Sequence, residues 1–189
     1  MNTPSEVARG DGFAAALVRW QRQHGRHDLP WQTGQAYGVW VSEIMLQQTQ
    51  VQTVIGYYAR FMQRFPTLAA LAAADEAAVM ESWSGLGYYA RARNLHRAAR
   101  EVMTRFGGDF PRTVEDIESL PGIGRSTASA IATFCFGARA PILDGNVKRV
   151  FARVFGIDGF PGTRAVEQRM WALAHELMPD QDGAAYTQA

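Results

Sequence analysis

The stretch Leu120–Asn146, LPGIGRSTASAIATFCFGARAPILDGN, decides how the rest of the chain is read. It opens on a glycine hairpin, Leu120-Pro121-Gly122-Ile123-Gly124. Gly122 and Gly124 permit a left-handed backbone and close approach by another group. Thr127, Ala128, Ala130, Ile131 and Ala132 predict a helix over Gly124–Phe136. Gly137 breaks that helix, and the chain then carries one carboxylate, Asp144, into a turn-prone Asp-Gly-Asn.

Just upstream, Thr113 is placed to cap a helix over Val114–Leu120, with Asp116 as a capping-box partner. A helix, LPGIG and a second helix with Thr127-Ala128 in its first turns form a helix-hairpin-helix pattern. Amides at the hairpin and the following helix start point outward with a partial positive field, which suits a phosphate. The alternative is a tight turn between helices. A lone Gly-x-Gly is a weak signal, but the string hydrophobic-Gly-hydrophobic-Gly-x-x-Thr-Ala is far more restrictive. It favours a DNA-backbone contact built on Gly122, Gly124, Arg125 and Thr127.

Composition sets the outer limits. The chain has 189 residues, 47% apolar and 20% charged, which allows one domain or two small ones with a real core. A net charge of +1 does not announce a nucleic-acid binder, so a basic surface must be local, as at Arg91, Arg93, Arg97 and Arg100 or Lys148, Arg149 and Arg153. The single cysteine, Cys135, excludes an intrachain disulfide framework and a multi-cysteine metal site, and its apolar context reads as buried packing. His24, His27 and His175 show no metal-ligand spacing, so no metal is expected. No apolar run approaches the ~20 residues of a membrane helix. The polar start (1–11) lacks a signal-peptide core and reads as disordered, and the chain as cytoplasmic.

Outward from the hairpin, the chain reads as helices. Phe13–Gln23 is amphipathic, with Phe13, Leu17, Val18 and Trp20 on or near one face, and Gly25 ends it. Tyr37–Gln48 is apolar almost all round, the mark of a buried helix. Val51–Phe65 follows and stops at Pro66. Thr67 caps Leu68–Ala73, and Asp75 caps the helix running to Trp83. Tyr89–Phe106 turns Leu95, Ala98, Ala99, Val102 and Met103 inward and its arginines outward. Val147–Phe155 and Thr163–Met178 are further helices, and the tail carries Pro179 and Gly183, both helix breakers. No two-residue alternation is present, so the chain is all-α. The composition change at Gly137–Pro141 marks a boundary between two helical modules.

Two carboxylates stand out. Glu43 is the only Asp, Glu, Lys or Arg between Asp28 and Arg60, and it sits inside the buried helix. A carboxylate there is paired, hydrogen-bonded or shifted in pKa. Two carboxyl groups in different environments can divide acid and base roles, and at a glycosidic bond one protonates the leaving group while the other stabilises the sugar cation. The plainer readings are a satisfied core acid for Glu43 and an N-cap for Asp144. The loops Gln47–Gln50 and Gly87–Tyr89 offer amides and tyrosines that can wedge beside an extruded base, or only cap and contact surface. Arg91, Arg93 and His96 read equally as a solvated face or as phosphate contacts.

With these residues in place, the chain resembles the helix-hairpin-helix DNA glycosylase superfamily, most closely adenine DNA glycosylases of the MutY type. The resemblance runs from about Trp20 to the end and rests on LPW (29–31), VWVSEIMLQQTQV (39–51), GLGYYARARNLH (85–96), LPGIGRSTA (120–128) and PILDGNVKRV (141–150). It implies an all-α fold of two modules with the active site in the cleft between them. The first is a six-helix module over 30–137 with the helix-hairpin-helix at about 113–136; the second joins 1–29 and 138–189. It implies a monofunctional enzyme that flips and hydrolyses off adenine mispaired with 8-oxoguanine or guanine, acting as a monomer on double-stranded DNA and associated with the nucleoid. Glu43 matches the catalytic acid, Asp144 the carboxylate that stabilises the sugar cation or links to it, and Asn146 an orienting residue. Gln48 and Tyr88 match residues that probe or wedge the duplex. Arg26, Trp31 and Leu46 resemble an adenine pocket. Ser126 stands where endonuclease III-type enzymes carry a Schiff-base lysine, which a serine cannot replace.

The chain departs from the pattern at its end. The resemblance implies four cysteines beyond residue 189 that hold a four-iron four-sulfur cluster, then a domain that reads 8-oxoguanine. These residues bind no cofactor by this reading, because the cluster needs thiolates. The second module is left incomplete, which destabilises the fold and weakens the preference for 8-oxoguanine. The rival readings are a glycosylase for another mismatched base, such as thymine opposite guanine, and a non-catalytic helix-hairpin-helix DNA-binding protein.

Overall fold

A computed structural model describes residues 11–189. Of the stretch read as a disordered start, 1–10 lie outside the described residues, and Asp11 begins the first helix. All described secondary structure is helical, as the missing two-residue alternation implies. The helices are α1 (Asp11–His24), α2 (Ala36–Leu46), α3 (Val51–Arg64), α4 (Leu68–Ala73), α5 (Glu76–Ser82), α6 (Ala90–Arg105), α7 (Val114–Glu118), α8 (Arg125–Phe136), α9 (Gly145–Phe155), α10 (Arg164–Leu177) and α11 (Gly183–Gln188). They divide into two compact units, His27–Phe136 and the residues through Arg26 joined with Gly137–Ala189.

In the larger unit α2 is the centre, packed against α3, α6 and α8. Its all-round apolar sequence requires this: Trp40, Val41 and Met45 are wholly buried, and each apolar side chain so placed contributes about 1.5–3 kcal/mol. Ser42 is also buried and donates its hydroxyl to the Val39 carbonyl at 2.7 Å, so it carries no unpaired polar atom into the core. A Cβ on Gly38 would lie 2.6 Å from the Tyr58 hydroxyl, so its bare backbone lets α3 approach. Thr67 and Thr113 cap α4 and α7 through their side chains. The Thr113 hydroxyl also donates to the Asp116 carboxylate at 2.7 Å. Asp75 occupies the position before α5 but makes no side-chain cap bond.

Helix α6 corrects two expectations. Leu95, Ala98, Ala99 and Val102 face inward, but Met103, near the helix end, is 37% exposed. His96 is neither a solvated residue nor a phosphate contact: it is 2% exposed between buried Ala92 and Ala99. Burial and the nearby Arg100 cation lower its pKa. Arg100 itself donates to the Ala72 and Ala74 carbonyls at the end of α4.

The smaller unit gathers Phe13, Leu143, Phe151, Val166, Met170, Ala174 and Leu177. Phe13 and Val18 of α1 turn inward, whereas Trp20 is 49% exposed. Gly25 ends α1 by close approach to the Gln21 carbonyl, to which its amide donates at 2.7 Å, and not through a left-handed cap. The tail is not broken by Pro179 and Gly183. It forms α11 against α1, with Tyr186 packed on the apolar cluster and Asp182 paired with Arg22 at 2.8 Å. Proline lies before this helix and glycine at its first residue, where neither removes an interior hydrogen bond.

Candidate functional site

The hairpin between α7 and α8 is a type II turn. The Ile123 amide donates to the Leu120 carbonyl at 3.2 Å, Pro121 fills the second position, and Gly122 takes φ +78° in the third. The two glycines do different work. A Cβ on Gly122 would meet the Asn94 Cβ of α6 at 2.6 Å, so Gly122 is required by the fold. Gly124 has no positive φ and no atom within 4 Å of where a Cβ would stand, so its face is open. Its carbonyl accepts from the Ala128 amide at 2.9 Å and starts α8. Gly122, Gly124 and Arg125 are exposed, and Ser126 and Thr127 are half-buried beside them.

Glu43 lies half-buried on α2 between wholly or nearly buried neighbours. Its charge is felt on α8: the Cys135 thiol is pushed up to about 11, first by burial and then by Glu43. Cys135 is therefore an inert, half-buried packing residue. Leu46 closes α2 half-buried, and its carbonyl accepts from the Thr49 amide. Trp31 is buried with its ring edge-on to Tyr58, centroids 5.4 Å apart.

Asp144 is exposed and caps α9. Its Oδ1 accepts the amides of Asn146 at 2.9 Å and Val147 at 2.8 Å. Both bonds use one oxygen, so the cap fixes the carboxylate's direction and leaves Oδ2 outside it. Asn146 thus orients Asp144 through its backbone, while its side-chain oxygen accepts from Arg149 at 3.3 Å. Lys148 is paired with Glu167 at 2.7 Å. Arg26 is exposed. Asp144, Asn146 and Arg26 belong to the smaller unit, and Glu43, Leu46, Gln48, Tyr88, Trp31 and the hairpin to the larger.

Gln48 and Tyr88 share a feature the sequence does not display. Both hold left-handed backbone, φ 57° and 48°, and both are exposed. Between them stands Arg91, which is not one of α6's outward arginines. Its Nη1 donates to the Ile44, Met45 and Gln47 carbonyls at 2.9, 3.0 and 2.6 Å. Its Nη2 donates to the Leu86 and Gly87 carbonyls at 3.2 and 3.3 Å. Neither a solvated face nor a phosphate contact describes it. The signal was helical phase: Arg91 lies four residues before Leu95 and seven before Ala98, on the inward row. Asn94, the neighbour that makes Gly122 obligatory, had no such signal.

These features define a helix-hairpin-helix protein with a carboxylate on a buried central helix and a second capping a helix beyond the hairpin. The chain belongs to the HhH-GPD superfamily of base excision DNA repair proteins, whose model matches residues 41–176. It is 45% identical to human adenine DNA glycosylase over 194 residues, covering 97% of this chain and 35% of that protein. Against the adenine DNA glycosylase of Buchnera aphidicola subsp. Acyrthosiphon pisum it is 40% identical over 177 residues, 93% of this chain and 51% of that one. The chain therefore spans about a third to a half of the length of these curated relatives. Among solved structures, a thermostable thymine-DNA glycosylase superposes with TM-score 0.87 at 26% identity, covering 98% of this chain and 85% of that one. An endonuclease III–DNA complex superposes with TM-score 0.80 at 18% identity over 100% of this chain and 84% of that one, a likeness of fold.

The iron-sulfur cluster that the resemblance implies does not fit these residues. It needs four thiolates, whereas the sequence has one cysteine, and burial and Glu43 hold that thiol protonated. Among the described residues no group of three or more His, Cys, Asp or Glu side chains converges.

Proposed function

We propose that this chain is the catalytic part of a monofunctional adenine DNA glycosylase that acts as a monomer on duplex DNA carrying a mispaired adenine, and so works in association with the nucleoid. The observation that carries the reading is 40–45% identity to adenine DNA glycosylases over nearly the whole chain, with Glu43 and Asp144 both present. The hairpin amides and the open face at Gly124 bind a phosphate, and Arg125 and Thr127 flank it. Gln48 and Tyr88 enter the duplex beside the extruded nucleotide. Arg26, Trp31 and Leu46 line the adenine pocket.

The chemistry follows from two carboxyl groups. Glu43 gives its proton to an adenine ring nitrogen, and the bond from C1′ to the base breaks with its electron pair leaving on adenine. The sugar becomes an oxocarbenium ion, which the Asp144 carboxylate stabilises or briefly bonds. Water adds to C1′ and returns its proton to the Glu43 carboxylate. Ser126 supplies no amine, so the abasic strand is released uncut.

A second reading has its own support, the superposition with a thymine-DNA glycosylase. Ring protonation favours departure of a purine, so Glu43 argues for adenine. The test is base release from A:8-oxoguanine, A:G and T:G duplexes, read by heat-alkali cleavage of the product. Product from A:8-oxoguanine and A:G alone supports adenine excision. Product from T:G alone selects the second reading, and binding without product selects a DNA-binding protein.

A further inference from the structure

We propose that Arg91 is a positioning residue that holds the loops bearing Gln48 and Tyr88 in the conformations they present to the duplex. The proposal rests on the reading of Gln48 and Tyr88 as duplex-probing residues and names what prepares them.

Left-handed backbone is uncommon outside glycine and persists where the surroundings fix it. Gln48 and Tyr88 both adopt it, in two loops 40 residues apart in sequence. One guanidinium serves both. Nη1 takes the last carbonyls of α2 and the Gln47 carbonyl. Nη2 takes Leu86 and Gly87, immediately before Tyr88, and reaches the Thr49 hydroxyl at 3.4 Å. Gln48 is thus held on both sides and Tyr88 from its preceding peptide. The guanidinium also lies over the Trp83 and Tyr88 rings, 5.4 and 5.6 Å from their centroids. Trp83 Nε1 donates to the same Gly87 carbonyl at 3.2 Å. Four Nη protons meet six acceptors, so several bonds are shared, and no carboxylate pairs with Arg91 among the described residues. The cation also sits at the negative end of the helix that carries Glu43. A lysine ammonium keeps the charge but is a single point with three donors and cannot span two loops.

The test compares Arg91→Lys in the wild-type background and in Gln48→Gly/Tyr88→Gly, where the side chains are gone and the backbone needs no holding. Single-turnover base release and duplex affinity are read on the mispaired duplex. In the wild-type background the loss is about 10- to 100-fold, the scale of an ångström misplacement. In the glycine background it falls below about twofold, because coupled residues are not additive. Equal loss in both backgrounds overturns the proposal, as does undiminished binding by Gln48→Gly/Tyr88→Gly. A wild-type chain that releases no base from any mispaired duplex sinks the glycosylase reading instead. Hydrogen exchange at the Thr49 and Leu86 amides, which donate to the Leu46 and Trp83 carbonyls, is then compared between the DNA-free wild-type and Arg91→Lys chains. Faster exchange in Arg91→Lys supports loops held by Arg91, and equal exchange in the two overturns it.

Discussion

Gly122→Ala and Gly124→Ala separate the two tasks of the hairpin. At Gly122 an alanine must take φ +78°, at about 1–2 kcal/mol, and its Cβ would stand 2.6 Å from the Asn94 Cβ. That atom is anchored to the α6 backbone and cannot swing away, so overpacking adds about 1–3 kcal/mol. The sum is about 2–5 kcal/mol, which at about 2–4 °C per kcal/mol lowers the melting temperature on the order of 10 °C. At Gly124 a Cβ enters open space, and the cost is the weak preference for glycine over alanine at a helix start, at most about 1 kcal/mol. That Cβ projects from the face assigned to the phosphate, so Gly124→Ala weakens duplex binding by about tenfold, the loss of one hydrogen bond to a charged group. Thermal melts followed by circular dichroism and fluorescence anisotropy with a labelled duplex read the two effects. The reasoning is refuted if Gly124→Ala melts as low as Gly122→Ala, or if Gly122→Ala costs less than about 1 kcal/mol.

Cys135 reports on Glu43. Glu43→Gln removes the second cause of the raised thiol pKa, so iodoacetamide alkylation at pH 9 becomes faster, while burial keeps it slower than for a free thiol; an unchanged rate contradicts the placement of Glu43. Burial pushes the Tyr186 hydroxyl up to about 12, above its ordinary value of 10.0. The folded state holds that proton more tightly, so the contribution is complete below pH 10, and stability falls as pH rises from about 10 to 12. Melts at pH 9 and pH 11 should show a smaller drop for Tyr186→Phe than for wild type, and an equal drop would place Tyr186 in water. Ile131→Ala, at a fully buried position on α8, costs about 2–5 kcal/mol in denaturant unfolding; a loss under about 1 kcal/mol would contradict the packing of α2 against α8.

Much of the fold was legible because it rests on periodicity. Helix α2 announced its burial by lacking a polar face, and the Pro121-Gly122 pair announced a turn. Thr67 and Thr113 were readable as caps because a hydroxyl immediately before a helical run can accept the amide three residues on. Asp75 had the same signal without the bond, since an exposed carboxylate is as well satisfied by water. Of the two Asp144 readings the cap is the one observed, and it uses one oxygen. What could not be read were residues whose role depends on another element. Arg91 and Arg93 look alike in the string ARAR, yet the first lies on the inward row of α6 and serves carbonyls from two distant loops. His96 was misread because a titratable residue among arginines suggests surface, while its row of Ala92 and Ala99 lies inside. Helix α11 was hidden because its stability comes from Tyr186 on the apolar cluster and not from its own short sequence.

The central claim, that Glu43 supplies the proton that releases adenine, is tested most directly by single-turnover base release from an A:8-oxoguanine duplex with wild type and Glu43→Gln. The account predicts product from wild type and none above background from Glu43→Gln, with the two proteins binding the duplex equally. Equal rates of release by both would contradict it.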